Sequence, residues 1–390
     1  MANLIKGMEK NSFEKSIPLL FLLSLFHTFS YMIVPIYLSM IGLNGLQIGI
    51  LIAIHSFMTI FASFPTGFVN DTRSVRTVII SGLILMSLYF VGLGFINEFI
   101  FIIPLYFIGG LGANMIDVSV RTVAFKADTK GRDGWKFGKY QFIRVAGSGI
   151  GVISAGIIIS VLDFSTALKI IGVIYALMIP LVSFDSIAAH KIKMGQYKKD
   201  ILNRSVIIAG AIMLLFSTHW GAETTSYGLF LTQNLNLDMF TVGLYIAGTI
   251  IFLGLSAYFF GKRIDSGRSN MKNIFVIGMI ISGVFHILHT IPILEISFIF
   301  RAIHEIGDGM AIIAMFFWIS KLFGKERIGG NSSFMFTLTL IGHVVGSLIY
   351  GPIGDYMGYH MPLIFSGITN IMCAILLVIF VRMYKIKETY

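Results

Sequence analysis

The sequence predicts an all-α integral membrane protein with twelve transmembrane helices in two six-helix halves and both termini in the cytoplasm. Three observations favour this fold: a very apolar composition, twelve long apolar runs, and basic residues that fall on one side of the membrane. Of the 390 residues, 56% are hydrophobic and 12% are charged, whereas soluble domains carry about 25% charged residues. This composition excludes a soluble globular protein. The single cysteine, Cys373, excludes a disulfide framework and a cysteine-based metal site.

Twelve apolar runs are each long enough to cross a bilayer, which takes about 20 residues of helix. A backbone in lipid must satisfy its hydrogen bonds within its own segment, so each run is expected to be helical. The first run is too long for a signal-peptide core, so we expect it to be retained. The runs extend approximately over residues 16–40, 46–68, 77–96, 99–124, 137–161, 165–184, 205–231, 239–260, 273–292, 293–322, 333–356 and 361–381.

The positions of the basic residues predict the orientation, because Lys and Arg in short loops stay on the cytoplasmic side. The two termini and the even-numbered loops, with Lys139 and Lys321 at the adjacent span ends counted in those loops, hold 25 of the 29 Lys and Arg residues, and the odd-numbered loops hold none. The other four lie within spans: Arg121, Arg144, Lys169 and Arg301. The formal net charge is +10, but the basic residues are spread over short loops rather than one folded face, so no nucleic-acid partner is predicted.

An internal repeat divides the chain. Gly and Asp residues recur in the same order at an offset of 194 to 198 residues, in corresponding loops and spans. Secondary transporters are often built from two such similar halves around a substrate site. The predicted halves are residues 1–187 and 205–390, joined by a polar, basic cytoplasmic linker over residues 188–204. The repeated pairs are Gly49 and Gly243, Gly67 and Gly261, Asp71 and Asp265, Gly109 and Gly307, Gly147 and Gly342, Gly151 and Gly346, and Gly156 and Gly351.

The loop after the second predicted span carries a short motif in which Gly67 is followed by Asp71 and then by Arg73 and Arg76. Together with six plus six spans, this motif resembles the signature loop of the major facilitator superfamily, a family of transporters. The sequence departs from the family pattern, because a serine and a valine occupy the positions of its second Gly and first Arg. We therefore expect Arg73 or Arg76 to supply the positive charge of the motif.

The resemblance implies a cytoplasmic latch, built from these residues and a second copy in the second half. A small residue lets two helices approach, and a carboxylate paired with a guanidinium group would hold the cytoplasmic ends together. The alternative is a solvated turn that holds nothing. The predicted latch residues are Gly67, Asp71, Arg73, Arg76, Asp128, Gly261, Asp265 and Arg268.

The tenth predicted span concentrates ionisable residues. Arg301, His304, Glu305 and Asp308 follow one another at helical spacing, so all four share one arc of the helix. They lie roughly 12 to 22 Å along the span, near the bilayer centre. A charged side chain at that depth costs at least about 2.5 kcal/mol. We expect these residues to couple transport to protons, and the alternative is a static ion-pair network that holds helices together.

Two further deep carboxylates are predicted to take part in proton coupling. Glu223 on the seventh span has no Lys or Arg three or four positions away on its own helix. Asp117 on the fourth span and Arg144 on the fifth are expected about 10 Å above the cytoplasmic boundary, where they could pair. The resemblance implies that spans one, four, seven and ten line the substrate cavity. The cavity candidates are His27, Tyr31, Arg144, His219 and Trp220.

The fifth predicted span favours one branch of the superfamily. Arg144 stands three residues before Gly147, as in the fifth span of the oligosaccharide/proton symporter branch, which the run resembles. Antiporters of the superfamily usually carry a Gly-Pro dipeptide in this span, and none occurs there. The sequence thus predicts a monomeric secondary active transporter of the plasma membrane. It would move a small organic solute together with H⁺ by alternating access, with no cofactor or resident metal.

Two alternatives remain open at this stage. The first is efflux of drugs or amphiphiles by proton antiport, since the 35 Phe and 20 Met residues could line an adaptable pocket. The second, more remote, is a membrane-embedded enzyme or channel. An enzyme could bind a metal ion through His304, Glu305 and Asp308.

Overall fold

The computed structural model describes residues 2–182 and 191–383, which form fourteen α-helices and contain no β-strand. A single turn of π-helix, Glu223–Tyr227, joins α8 to α9. The helices are α1 (Ala2–Met40), α2 (Gly45–Thr72), α3 (Val75–Leu93), α4 (Phe99–Lys126), α5 (Asp133–Val161), α6 (Phe164–Leu177), α7 (Met194–Ile201), α8 (Arg204–Ala222), α9 (Gly228–Gln233), α10 (Met239–Asp265), α11 (Met271–Leu288), α12 (Leu294–Leu322), α13 (Ile328–Met357) and α14 (His360–Met383).

Ten segments of the described chain are long and apolar enough to cross a membrane. They comprise α2, α3, α4, α10, α11, α12 and α14, together with Phe164–Leu181, Arg204–Gln233 and Lys325–Met357. The other two predicted spans fall within α1 and α5. The all-helical, multi-pass prediction is confirmed, while the count of twelve spans and the cytoplasmic position of the termini stay predictions.

Short polar side chains mark where many of these helices begin. Asn44, Asp163, Asn203, Asp238 and Asn270 are N-cap residues whose side chains accept hydrogen bonds from backbone amides of the first turn. Each cap satisfies amides that have no partner within the helix. At Asp238, which precedes the membrane segment, hydrogen bonds from the backbone and side chain of Thr241 hold the pKa of the carboxyl below its usual value.

The chain folds into two compact units, each built from several separate stretches of sequence. The first comprises Met1–Asp128, Gly147–Tyr197 and Gly324–Phe334, and the second comprises Thr129–Ala146, Lys198–Phe323 and Met335–Tyr390. In the first unit α4 packs against α2 and α3, and in the second α12 packs against α10 and α11.

Glycines bring the backbones of α11 and α12 into contact. A Cβ atom added to Gly307 would lie 2.4 Å from the amide nitrogen of Ser282, and one added to Gly278 would lie 2.8 Å from the carbonyl oxygen of Gly307. Only glycine allows so close an approach. This contact places the polar side chains of the two helices within hydrogen-bonding reach of each other.

Candidate functional site

A group of ionisable side chains, all buried except Glu223, which is 19% exposed, lies in the second unit; we call it the histidine–carboxylate cluster. The most deeply buried of the ten candidate membrane segments, α12, supplies half of it. The other members come from α8, from the π-helical turn that follows α8, and from α11. The cluster consists of His219, Glu223, His286, His289, Arg301, His304, Glu305 and Asp308.

Arg301 lies between two carboxylates. Its Nη1 donates to Glu223 Oε1 and its Nη2 to Glu305 Oε1, both at 2.6 Å. The guanidinium carbon also lies 4.3 Å from the centre of the Tyr227 ring, a cation–π distance. Arg301 and Glu305 are almost fully buried. Glu223, which has no Lys or Arg one turn away in the sequence, therefore obtains a permanent cation as its partner from α12.

Two histidines are held in the same way by backbone carbonyl groups. His219 Nδ1 lies 2.5 Å from the Phe216 carbonyl oxygen, and His304 Nδ1 lies 2.9 Å from that of Ser282. A carbonyl oxygen can only accept, so each Nδ1 carries the hydrogen. The Nε2 atom of each ring is thereby turned toward the carboxylates of the cluster.

The Oδ2 atom of Asp308 contacts several side chains of the seventh and tenth predicted spans. This oxygen lies 3.1 Å from His219 Nε2 and accepts a hydrogen bond from Trp220 Nε1, also at 3.1 Å. His304 Nε2 lies 4.0 Å from the same oxygen and 3.0 Å from Glu223 Oε1. The predicted residues His219, Trp220 and Glu223 on the seventh span thus meet the charged arc of α12.

The π-helical turn contributes to this arrangement. A turn of π-helix inserts one residue into an α-helix and is often found at functional sites. Here it starts at Glu223, and the next residue, Thr224, shares a hydrogen bond of 2.8 Å with His343 Nε2 on α13. The apolar pattern of the seventh predicted span did not indicate this irregularity.

His286 and His289 are cluster members that were not among the site residues predicted from the sequence. Both are fully buried, and among the described residues neither ring forms a hydrogen bond. The His286 ring lies 4.4 Å from that of His304, and its Nδ1 lies 3.7 Å from Glu223 Oε1. Ser282, His286 and His289 recur at positions i, i+4 and i+7 of α11, a polar stripe that could have identified them.

The remaining candidates for proton coupling and for the substrate cavity are not members of the histidine–carboxylate cluster. Asp117 is exposed and pairs with Arg121 on its own helix. Arg144 is also exposed, and its Nε donates to Gln141 Oε1 at 2.9 Å. His27 is exposed on α1. Tyr31 belongs to the stretch 29–33 of α1, whose side chains lie outside the described part of the structure.

The first copy of the latch motif centres on Asp71, which is completely buried. Its carboxylate accepts hydrogen bonds from the backbone amides of Gly329 and Gly330 at 3.0 and 2.7 Å, in the first turn of α13. It also accepts one from the Tyr197 hydroxyl at 2.9 Å and pairs with Lys126 Nζ at 2.9 Å. The free amides and the dipole of a helix N-terminus favour an anion at this position.

The second copy has the same geometry in the other unit. Asp265 accepts hydrogen bonds from the backbone amides of Gly134 and Trp135, at 2.7 and 2.6 Å, in the first turn of α5. The motif glycines allow α2 to approach the start of α13 and α10 to approach the start of α5. A Cβ atom on Gly67 would lie 2.4 Å from the Gly329 carbonyl oxygen, and one on Gly261 would lie 2.2 Å from that of Gly134.

The charges of the predicted latch differ from expectation. Arg73 and Arg76 are exposed, and the cation that meets Asp71 is Lys126 of α4. Arg73 is the C-cap residue of α2 and has extended backbone angles. Asp128 pairs instead with Lys325 at 3.9 Å, in an exposed ion pair that contributes little stability. Arg268 is exposed as well.

Buried ion pairs and histidines within apolar membrane helices are typical of transport proteins, in which ionisable groups at membrane depth serve substrates and ions. The family comparison agrees with this class. The chain belongs to the Major Facilitator Superfamily, whose sequence profile matches residues 19–218 and 209–389. It is therefore a transporter rather than an enzyme, and a multi-pass protein of the plasma membrane.

Individual relatives are distant. The chain is 24% identical to the quinolone resistance protein NorA of Staphylococcus aureus (strain MSSA476) over 343 residues, which cover 83% of this chain and 84% of NorA. Its structure resembles that of the human organic anion transporter MFSD10, with a TM-score of 0.80 and 11% identity over 95% of this chain and 99% of that one. It also resembles the transporter FucP in the outward conformation, with a TM-score of 0.74 and 15% identity over 96% and 99% of the two chains.

Proposed function

We propose that the protein is a proton-coupled secondary active transporter that carries a small organic solute by symport. It would work as a monomer by alternating access, with twelve spans, cytoplasmic termini, and halves 1–187 and 205–390 joined by the linker 188–204. The observation that carries the proposal is an excess of carboxylates over permanent cations in the buried histidine–carboxylate cluster.

The charges of the cluster do not balance without added cations. Three carboxylates, those of Glu223, Glu305 and Asp308, face one guanidinium group, that of Arg301. With neutral histidines the net charge is minus two, and uncompensated charge among membrane helices costs several kcal/mol. Two protons would neutralise it. The other titratable side chains that face this group are His219 and Tyr227 near α8, His286 and His289 on α11, His304 on α12, and His343 on α13.

Coupling follows from how the proton and Arg301 compete for the same carboxylates. When Glu223 and Glu305 are both ionised, they hold the guanidinium group of Arg301 between them at 2.6 Å. We call this arrangement the guanidinium clamp. A proton on either carboxylate weakens that side of the clamp and frees donors of Arg301 for an oxygen of the solute. Release of the solute would restore the clamp and expel the proton, so one event requires the other.

The remaining predicted residues keep proposed roles. Asp117 stays a candidate proton carrier, and His27, Tyr31 and Arg144 stay candidate cavity residues. For the latch we propose that Asp71 and Asp265 act as anions at helix N-termini. Support comes from the two similar sets of backbone amides, which lie at Gly329 and at Gly134.

The second candidate function is efflux of drugs by proton antiport. The similarity to NorA, a quinolone resistance protein, favours it. The same cluster would then release a proton inward as the drug leaves. Symport and antiport predict opposite responses to a pH gradient, so one assay distinguishes them.

The test is transport by the purified protein in liposomes with a panel of radiolabelled sugars, organic anions and quinolones. A symporter accumulates its solute when the outside is acidic, an antiporter accumulates it when the inside is acidic, and a protonophore abolishes either effect. Accumulation that ignores both the gradient and the protonophore would contradict proton coupling.

Variants then locate the coupling site. Glu305→Gln with Asp308→Asn fixes two carboxylates as neutral, so uphill transport should vanish while solute exchange survives. The matched control is Glu295→Gln, an exposed glutamate in the first turn of the same helix, which should transport normally. A well-folded double variant that still accumulates solute at the wild-type level would exclude α12 as the coupling helix.

A further inference from the structure

We propose that the histidine–carboxylate cluster also binds one divalent transition-metal ion of the Zn²⁺ and Co²⁺ class. The ligands would be His219 Nε2, His304 Nε2 and an Asp308 carboxylate oxygen. The effect on transport rests on the proposed function: a metal ion in this position would fill the proton sites and arrest transport. The binding itself depends only on the geometry of these three residues and their neighbours.

The three ligand atoms already lie at nearly the spacing that a metal ion requires. His219 Nε2 is 3.1 Å and His304 Nε2 is 4.0 Å from Asp308 Oδ2, and all three atoms lie within 4.8 Å of one another. Tetrahedral Zn²⁺ with bonds of about 2.0 to 2.1 Å holds its ligand atoms about 3.4 Å apart. Movements of about 1 Å in the two rings would therefore complete the site, with a fourth position left open.

Both imidazoles are held in the tautomer that binds metal. Their Nδ1–H groups donate to the carbonyl oxygens of Phe216 and Ser282, which leaves the lone pair of each Nε2 facing the cluster. A backbone carbonyl on the far nitrogen is a common second-shell partner of metal-binding histidines and fixes the orientation of the ring. In this respect His219 and His304 resemble each other, although they lie on different helices.

Several polar atoms around this position have an unfavourable neighbour or no hydrogen-bond partner among the described residues. A neutral Nε2 lone pair and a carboxylate oxygen repel each other, yet His304 Nε2 lies 3.0 Å from Glu223 Oε1. Asp308 Oδ1 is buried without a hydrogen bond among the described residues, and so are both ring nitrogens of His286. Buried polar atoms are rarely left without partners. A positively charged ion between the rings and the carboxylates would satisfy several of them together.

The ligand chemistry and charge select the ion. Two imidazoles and one carboxylate suit Zn²⁺, Co²⁺ or Ni²⁺, whereas Mg²⁺ and Ca²⁺ prefer oxygen ligands throughout. A divalent ion also supplies the two positive charges that the cluster lacks. A second possible triad, Glu223 with His286 and His304, is less favourable because Arg301 lies 2.6 Å from Glu223 and would repel the metal.

The direct test measures binding rather than transport. Chelator-treated protein in nanodiscs is titrated with Co²⁺ and followed by its visible absorption, and Zn²⁺ binding is measured by calorimetry. We expect one ion per chain, intense bands of tetrahedral Co²⁺, and a first shell of two imidazoles with carboxylate oxygen by X-ray absorption. Absence of stoichiometric binding, or a shell of oxygens alone, would overturn the proposal.

Variants separate this site from surface histidines. His219→Gln and Asp308→Asn should each weaken binding more than about 100-fold, while His360→Ala, at the first position of α14, should leave it unchanged. Unchanged affinity in the two ligand variants would refute the assignment. Should neither ligand variant fold, the X-ray absorption shell of the wild-type protein decides the assignment.

Transport assays then distinguish the proposed metal site from the proposed proton-coupled transport. Zn²⁺ should inhibit proton-driven transport by the wild-type protein at the concentrations at which it binds, and full transport with the site occupied would refute the inhibitory role. Proton-driven transport without any metal binding would refute the metal site and leave the proposed function intact. Metal binding without proton-driven transport would refute the proposed function alone.

Discussion

Replacing Asp71 by asparagine tests whether this carboxylate holds the N-terminus of α13. Asp71 is completely buried, and its carboxylate meets two backbone amides of α13, the Tyr197 hydroxyl and Lys126 Nζ. In the Asp71→Asn variant the buried ammonium group of Lys126 loses its counter-charge. The NH₂ group of the asparagine, itself a donor, would then face these hydrogen-bond donors.

The size of the effect follows from these contacts. Breaking a buried ion pair by removing one partner costs about 3 to 5 kcal/mol. The unfolding entropy is about 2.1 cal/mol/K per residue, so for 390 residues each kcal/mol moves Tm by about 1 °C. We therefore expect Asp71→Asn to lower Tm by about 4 to 6 °C. Tyr197→Phe removes one neutral hydrogen bond, about 0.5 to 1.5 kcal/mol, and should lower Tm by 1 to 2 °C, roughly.

Thermal unfolding of the purified variants measures these differences. The control is Asp71→Asn combined with Lys126→Met, which removes the unpaired charge and should recover more than half of the lost Tm. A Tm of Asp71→Asn within about 1 °C of the wild-type Tm, the shift of a single weak contact, would refute the role of this ion pair. A double variant no more stable than Asp71→Asn alone would refute it as well. In transport assays, Asp71→Asn should reduce the rate more than the apparent affinity, because Asp71 does not belong to the histidine–carboxylate cluster.

Two further changes test the close helix contact and the buried charge. Gly261→Ala places a Cβ atom 2.2 Å from the Gly134 carbonyl oxygen, so Tm should fall by several degrees. Gly49→Ala, in a helix with no atom within 4 Å of the new Cβ, should be neutral or stabilise by about 0.5 to 1 kcal/mol; equal effects in thermal unfolding would contradict the packing argument. Arg301→Met should abolish transport and lower stability by about 3 to 5 kcal/mol, and adding Glu223→Gln should restore part of the stability but no transport. A transporting Arg301→Met variant would remove the guanidinium clamp from the mechanism.

The helical, multi-pass fold could be predicted because its causes are local. A run of about 20 apolar residues must form a helix in lipid, and nothing distant in the chain changes that requirement. The pairing of Arg301 with Glu305 within α12 was predictable for the same reason, since four residues make about one helical turn. The sequence also indicated the two copies of the latch motif through a repeat of Gly and Asp.

Contacts between helices were only partly predictable. The motif predicted Arg73 or Arg76 as the partner of Asp71, but Lys126, fifty-five residues away, occupies that position. His286 and His289 were not selected, although α11 brings them against His304. The short linker helix α7, whose Tyr197 reaches Asp71, lies in a segment that hydropathy marks only as polar.

The sequence by itself therefore determined that the long apolar segments are membrane helices and which charges share one face of one helix. Only the tertiary structure decided which carboxylates and cations of different helices meet and which histidines meet each other. The physical reason is that helical periodicity fixes side-chain positions relative to their own axis. The rotation and approach of neighbouring axes depend on glycine contacts such as that of Gly307 with Ser282, which packing of the whole unit sets.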